Sequence, residues 1–160
     1  MDSLHPFDVY ISNPALQKAE RIMEDAARHG KEALGLLVGD IFQWKGFEYV
    51  VVDHFITASN SSTAVSVKFN KLAFAELTQA FSKHFKEKKL IVGWIHSHPS
   101  YGCWLSATDV ATQNKYFSAP FNIAMVVDPL KKEGGRMQER IFRVEGNAYY
   151  EVSFAVIDKK

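Results

Sequence analysis

His96 and His98 stand two residues apart in the run IVGWIHSHPSYGCWLSATDVATQ, and Ser106 and Asp109 follow within the same run. On a β-strand, residues two apart share a face, so the two imidazoles project together, about 7 Å apart along the backbone, with Ser97 on the other side. Two nitrogens so placed can converge on one ion. The competing reading is a pair of solvated, hydrogen-bonded histidines, because His-x-His on a strand is common. Two neighbouring features favour the ion. The stretch LIVGWIH is otherwise apolar, so histidines at its end need polar partners. Pro99, Ser100, Tyr101 and Gly102 then stop the strand and turn the chain. Ser106 opens a helix, and Asp109, three residues on, lies on the same side of its first turn. Two nitrogens and one carboxylate make a zinc ligand set of the catalytic kind, with the fourth position left for water. Structural zinc sites are closed and rich in cysteine, and this chain has a single cysteine.

Hydrolysis at such a centre also needs a base for the attacking water and a donor for the developing oxyanion. Spacing nominates no base: Glu32, Glu48, Glu76 and Asp53 all qualify. Glu32 adjoins the apolar run ALGLLVG, where partial burial would raise its pKa toward a useful range; the alternative is an exposed residue at the start of a strand. Ser106 serves either as a helix N-cap or as a donor to the substrate carbonyl, and spacing does not separate the two. Cys103, between Gly102 and Trp104, is the alternative nucleophile, in a position that equally suits a small packing residue. His5, His29, His54 and His84 have no ligand spacing. Trp94 and Trp104 read as packing for the core and the wall of the site.

The elements that must position these residues are legible in outline. FDVYI alternates as a short strand; Asn13 and Pro14 read as the cap and first position of a helix running to His29, with Gly30 as terminator. ALGLLVGDIFQW and FEYVVVDHFIT form a hairpin across Lys45 and Gly46. TASNSST is a polar loop and AVSVKF a short strand. Asn70 caps a second helix whose buried stripe is Leu72, Phe74, Ala75, Leu77, Ala80, Phe81 and Phe85, and its tail KHFKEKK reads as a solvated helix end. LIVGWIH is a central strand covered on both faces. LSATDVATQNKYF is a third helix and FNIAMVVD another buried strand. PLKKEGGRMQE is a flexible charged connection, and RMQERIFRV pairs with AYYEVSFAVI around Glu145, Gly146 and Asn147. Helices mixed with hairpins at both ends favour an α/β sandwich on a mixed sheet over a doubly wound arrangement.

Composition narrows the class. At 160 residues the chain suits one domain, spanning residues 1–160, that buries roughly 70% of its unfolded surface. A net charge of +1 gives no broad field to attract nucleic acid or an anionic membrane. One cysteine, and an N-terminus MDSLHPFDVY without a secretory pattern, point to a cytoplasmic protein. No apolar run approaches the length of a membrane-spanning helix.

Taken together, KEALGLLVG, GWIHSHPSYGCWLSATDVATQ and MVVDP resemble the JAMM, or MPN-plus, zinc metalloproteases over nearly the whole chain. The family pattern places a glutamate before a Gly-x-Leu-x-Gly-like strand, then His-x-His-Pro, six residues, and Ser-x-x-Asp; these fall here on Glu32, His96, His98, Pro99, Ser106 and Asp109. The loop from Tyr101 to Ser106 is most similar to the branch containing the deubiquitinating subunit of the proteasome lid and its signalosome and archaeal relatives. The resemblance implies a single-domain MPN fold, related to the cytidine-deaminase fold, and a deubiquitinase that cuts the isopeptide bond joining ubiquitin, or a ubiquitin-like protein, to lysine. It implies one Zn2+ held by His96, His98 and Asp109, with a bound water as nucleophile, Glu32 as proton carrier and Ser106 as oxyanion donor. It also implies a strand at Val65, Ser66 and Val67 that pairs with the substrate tail beside Trp104, and an MPN-domain or proteasome-type partner. Lid and signalosome members carry further helices for docking, whereas this sequence ends at VSFAVIDKK, as a free-standing minimal enzyme or a trimmed chain would. Two other readings stay open: a non-catalytic MPN scaffold, and a JAMM peptidase acting on a small peptide or other conjugate.

Overall fold

A computed structural model describes residues 6–57, 71–86 and 88–158. In chain order these form β1 (Val9–Ser12), α1 (Asn13–Arg28), β2 (Leu34–Trp44), β3 (Phe47–Thr57), α2 (Lys71–Phe85), β4 (Leu90–Ser97), α3 (Ala107–Tyr116), β5 (Ile123–Glu133), β6 (Arg136–Glu145), β7 (Ala148–Val152) and β8 (Phe154–Ile157). Among the described residues the strands make one mixed sheet ordered β7-β6-β5-β4-β2-β3-β1-β8. The β4–β5, β1–β3 and β1–β8 pairs are parallel and the others antiparallel. The expected α/β architecture of mixed sheet with flanking helices is what forms.

Alternation along the strands splits the core into two layers. Ile123, Met125 and Val127 of β5 join Val92 and Ile95 of β4 and Leu16, Ala19 and Met23 of α1. Ala124 and Val126 face the other way, with Trp94, Leu77 of α2, Val110 of α3 and Phe117. Burying Leu16 and Met23 contributes about 2 kcal/mol each. That outweighs what helical propensity alone supplies to a helix this short.

Five sequence expectations are corrected. The cap of α1 is Ser12, whose Oγ accepts the Ala15 N–H at 3.4 Å, and Asn13 is already helical. In α2 Leu72 is 74% exposed and Ala75 is exposed; Leu77 is buried, and Phe74, Ala80, Phe81 and Phe85 are half-buried. The tail of α2 is not wholly solvated, because Lys89 turns back to pair with Asp40 at 2.5 Å and the buried Asp53 at 2.6 Å. Residues 129–139 are no flexible connection: β5 and β6 continue into a hairpin closed by Gly134 and Gly135, whose φ angles of +60° and +81° suit a two-residue turn. Finally, AYYEVSFAVI is two strands. Ser153 separates β7, on one edge of the sheet, from β8 on the opposite edge, so the sheet curls until its edges meet. Asp8 holds that seam, its Oδ2 accepting from Ser153 N at 3.1 Å and Ser153 Oγ at 2.9 Å. Residues 64–70, with the expected strand and Asn70 cap, lie outside the described residues.

One buried acid on β6 makes stability depend on pH. Burial, reinforced by the neighbouring Glu20 of α1, pushes Glu139 up to about 7 from 4.5, and its Oε1 has no hydrogen-bond partner. Because the folded chain holds this proton more tightly than the unfolded chain, stability is greatest below the ordinary carboxylate pKa and falls as pH rises toward 7. Glu139→Gln therefore stabilises the fold at pH 8 by about 2–3 kcal/mol and leaves it nearly unchanged near pH 4, measured by urea unfolding at the two pH values.

Candidate metal centre

The site forms where β4 ends. Leu34 of β2 pairs with His96 on one side, and Val126 and Val127 of β5 pair with His96 and Ser97 on the other. His96 and His98 project to one face and Ser97 to the other, where its buried Oγ accepts the Ala33 N–H at 2.8 Å while its own N–H reaches the Ala33 carbonyl at 2.9 Å. That pair of bonds holds the segment adjoining Glu32. Trp94, one step earlier on the histidine face, stacks on His96 with ring centroids 4.5 Å apart, and its Nε1–H donates to Gln113 of α3 at 2.6 Å.

α3 brings the carboxylate. Ser106 is its N-cap, accepting the Asp109 N–H at Oγ (3.1 Å), while Asp109 Oδ2 accepts the Ser106 N–H (2.9 Å). This reciprocal capping box fixes Asp109 in the first turn. It also leaves the Ser106 hydroxyl proton without an acceptor among the described residues. The two uses that spacing left open are compatible, since the oxygen caps while the proton stays available.

Three donor atoms then converge. His96 Nε2 and His98 Nε2 are 3.0 Å apart, and Asp109 Oδ2 lies 3.3 Å from the first and 3.6 Å from the second. Tetrahedral zinc, with arms of roughly 2.0–2.1 Å, sets its ligand atoms about 3.3 Å apart, so the spacing of these donors fits that ion. His98 Nδ1 donates to the Gly102 carbonyl at 3.2 Å, leaving Nε2 as the free lone pair. Burial pushes Asp109 up, but its bonds to His96 and His98 prevail and hold it well below the usual carboxylate range. Burial pushes His98 down, and Asp109, with Gly102 and Glu32, more than offsets this, leaving it raised.

A cleft of about 290 Å³ opens over the cluster, lined by Glu32, His98, Tyr101, Trp104, Ser106, Thr108 and Asp109. Burial raises Glu32, against the lowering influence of His98 and His96. The other acids named from sequence sit elsewhere: Asp53 pairs with Lys89 and His54, Glu48 is exposed on the β2–β3 hairpin, and Glu76 is on α2. Trp104, 46% exposed, forms a wall with its ring 5.4 Å from His98. Val65, Ser66 and Val67 lie outside the described residues. Burial pushes the Cys103 thiol up to about 11, and its Sγ donates to the Gln138 carbonyl at 3.3 Å, so it is no thiolate nucleophile at neutral pH. The supports from Ser97 and Gln113 were not read as site residues from sequence. Their signal was present only as small polar residues inside otherwise apolar strands or on a helix.

Residues 6–119 match the family described as JAB1/Mov34/MPN/PAD-1 ubiquitin protease, and the chain belongs to it. Among its relatives, the 26S proteasome regulatory subunit rpn11 of Schizosaccharomyces pombe is 37% identical over 139 residues, covering 85% of this chain and 43% of that protein. The ubiquitin carboxyl-terminal hydrolase RPN11 of Saccharomyces cerevisiae is 34% identical over 142 residues, with coverage of 85% and 43%. COP9 signalosome complex subunit 5 of Debaryomyces hansenii is 35% identical over 146 residues, covering 88% of this chain and 29% of that one. This chain thus spans less than half the length of these curated relatives. The solved structure of DSY2949 from Desulfitobacterium hafniense superposes with a TM-score of 0.69 over 94% of each chain at 16% identity, a likeness of fold. No helix among the described residues is long and apolar enough to cross a membrane.

Ser97→Ala deletes the acceptor for a buried backbone N–H. The expected loss is about 1–3 kcal/mol of stability in urea unfolding, with hydrogen exchange at the Ala33 amide accelerated beyond that of the β5 core.

Proposed function

We propose that this chain is a zinc-dependent isopeptidase that releases ubiquitin, or a ubiquitin-like protein, from lysine conjugates. The observation that carries the reading is the convergence of His96 Nε2, His98 Nε2 and Asp109 Oδ2 beneath a cleft that also presents Glu32 and Ser106. Membership of a family described as ubiquitin protease, and a relative named ubiquitin carboxyl-terminal hydrolase, support the substrate class.

His96, His98 and Asp109 would hold one Zn2+, which when bound lowers the pKa of water to about 7 and polarises the scissile carbonyl. Glu32, kept partly desolvated at the cleft wall, takes the proton of the attacking water on its carboxylate and returns it to the departing lysine amine. The Ser106 hydroxyl, fixed by its capping bond, donates to the oxygen that gains charge. Trp104 and Tyr101 form an apolar rim that shields the reacting bond from bulk water. Val65, Ser66 and Val67 are proposed to pair with the extended substrate tail as an added strand, and a narrow groove against that strand favours a tail of glycines, which need no side-chain room. The names of the relatives favour work within a larger assembly containing another MPN-domain or proteasome-type protein. Cytoplasmic residence agrees with such partners.

Purified chain is expected to carry about one zinc and to cleave a ubiquitin-like conjugate. A strong chelator abolishes turnover and added Zn2+ restores it. Glu32→Gln should retain the metal and lower kcat by about 10²–10⁴-fold, while Cys103→Ser leaves kcat close to wild type. Undiminished cleavage by Glu32→Gln sinks the assignment of the base, and a zinc-free, inactive wild type favours the scaffold reading.

A further inference from the structure

Asp128 lies near the end of the buried part of β5, within the motif MVVDP, and it is fully buried. A carboxylate in that position is costly unless its oxygens are used, and backbone N–H groups use them. Oδ1 accepts from Ser100 N at 2.9 Å and Leu130 N at 3.0 Å; Oδ2 accepts from Gly102 N at 2.8 Å. Two of these donors belong to the turn that follows His98. Ser100 holds φ +74° there and Gly102 φ +78°. A non-glycine residue in that region is strained, and surrounding bonds must hold it.

Gly102 links the turn to the cluster. It gives its N–H to Asp128 and its carbonyl to His98 Nδ1, while the adjacent Val127 carbonyl accepts the His98 backbone N–H at 2.8 Å. Consecutive residues of β5 therefore grip His98 from both ends of the turn. We infer that Asp128 is a positioning residue for His98: it holds Gly102 where its carbonyl meets Nδ1, so that Nε2 faces His96 and Asp109. The inference rests on the cluster being a metal site. A purely structural carboxylate would change the stability of the turn without changing how the cluster takes a metal.

Asp128→Asn separates these. Oδ1 meets two donors and Oδ2 one, so the amide oxygen of asparagine takes the Ser100 and Leu130 side. Its NH2 is then left facing the Gly102 N–H, donor against donor. The damage falls on the residue that orients His98. Metal-free full-length chain is titrated with Co2+, reading the visible d–d bands, and the Co2+ is then displaced with Zn2+. Asp128→Asn, still folding cooperatively, should bind Co2+ about 10–100-fold more weakly than wild type, with an altered band. Gly102→Ala reaches the same carbonyl independently: its φ disfavours alanine, while an added Cβ finds only Lys131 Nζ at 3.6 Å and Gln138 Oε1 at 3.7 Å. The double variant should bind no more weakly than the weaker single one, because both act through one link.

An Asp128→Asn chain with affinity within about two-fold of wild type, against the tenfold or greater loss expected, and an unchanged band overturns the inference. Should that variant fail to fold, unchanged affinity and band in Gly102→Ala overturn it instead. Wild-type chain that takes up neither Co2+ nor Zn2+ overturns the metal-site reading and this inference with it, a result distinct from a competent wild type beside an indifferent variant.

Discussion

Polar atoms buried at the end of an apolar strand must find partners, and the architecture around His96, Ser97 and His98 follows from that requirement. Ser97 satisfies the backbone before β2, the Gly102 carbonyl takes the outer nitrogen of His98, and the Val127 carbonyl takes its N–H. What remains facing inward is a set of two imidazole nitrogens and one carboxylate oxygen that lie against one another. A small cation would satisfy all three together. The chemistry of the cleft thus follows from how firmly the backbone and the outer nitrogen of His98 are held around it.

Central placement of β4 makes this rigidity possible. It lies between β2 and β5, covered by α1 on one face and by α2 and α3 on the other. Its end is therefore held by strands on both sides, and ligand positions defined by such elements are more exact than positions on a free loop. Curling of the sheet, sealed where Asp8 meets Ser153, closes the α1 layer. On the opposite face, Trp94 and Gln113 join β4 to α3, so the helix that carries Asp109 is fastened to the strand that carries His96 and leads directly into His98.

Elements with strong local signals could be read directly. The periodicity of α1, the turn at Lys45 and Gly46 and the alternation of the strands needed only neighbours in sequence. Three of the failures share a cause: a distant partner overrides the local pattern. Lys89 leaves a charge run because Asp53 is buried and needs a cation. Residues 129–139 read as a connection because their side chains are charged, yet their backbone completes a ladder. AYYEVSFAVI reads as one strand because no turn residue interrupts it; only the closing of the sheet makes Ser153 a corner. Leu72 fits an apolar stripe by spacing yet is largely exposed on α2.

The residue types and spacings of the cluster belong to the sequence alone: His-x-His on a strand, a forced turn, and Ser-x-x-Asp at a helix start put donors of the right chemistry within reach of one another. Which carboxylate shares the cleft was undecided among Glu32, Glu48, Glu76 and Asp53, because spacing carries no information across the sheet. Pairing of β2 beside β4 resolves that by setting the segment before Leu34 against the end of His96. Asp128 likewise becomes meaningful only when β5 lies parallel to β4, since a carboxylate and the backbone N–H groups it satisfies are neighbours in space and not along the chain. Local chemistry is written in sequence order, but burial and the company a charge keeps arise from long-range pairing, and those decide what the chemistry can do.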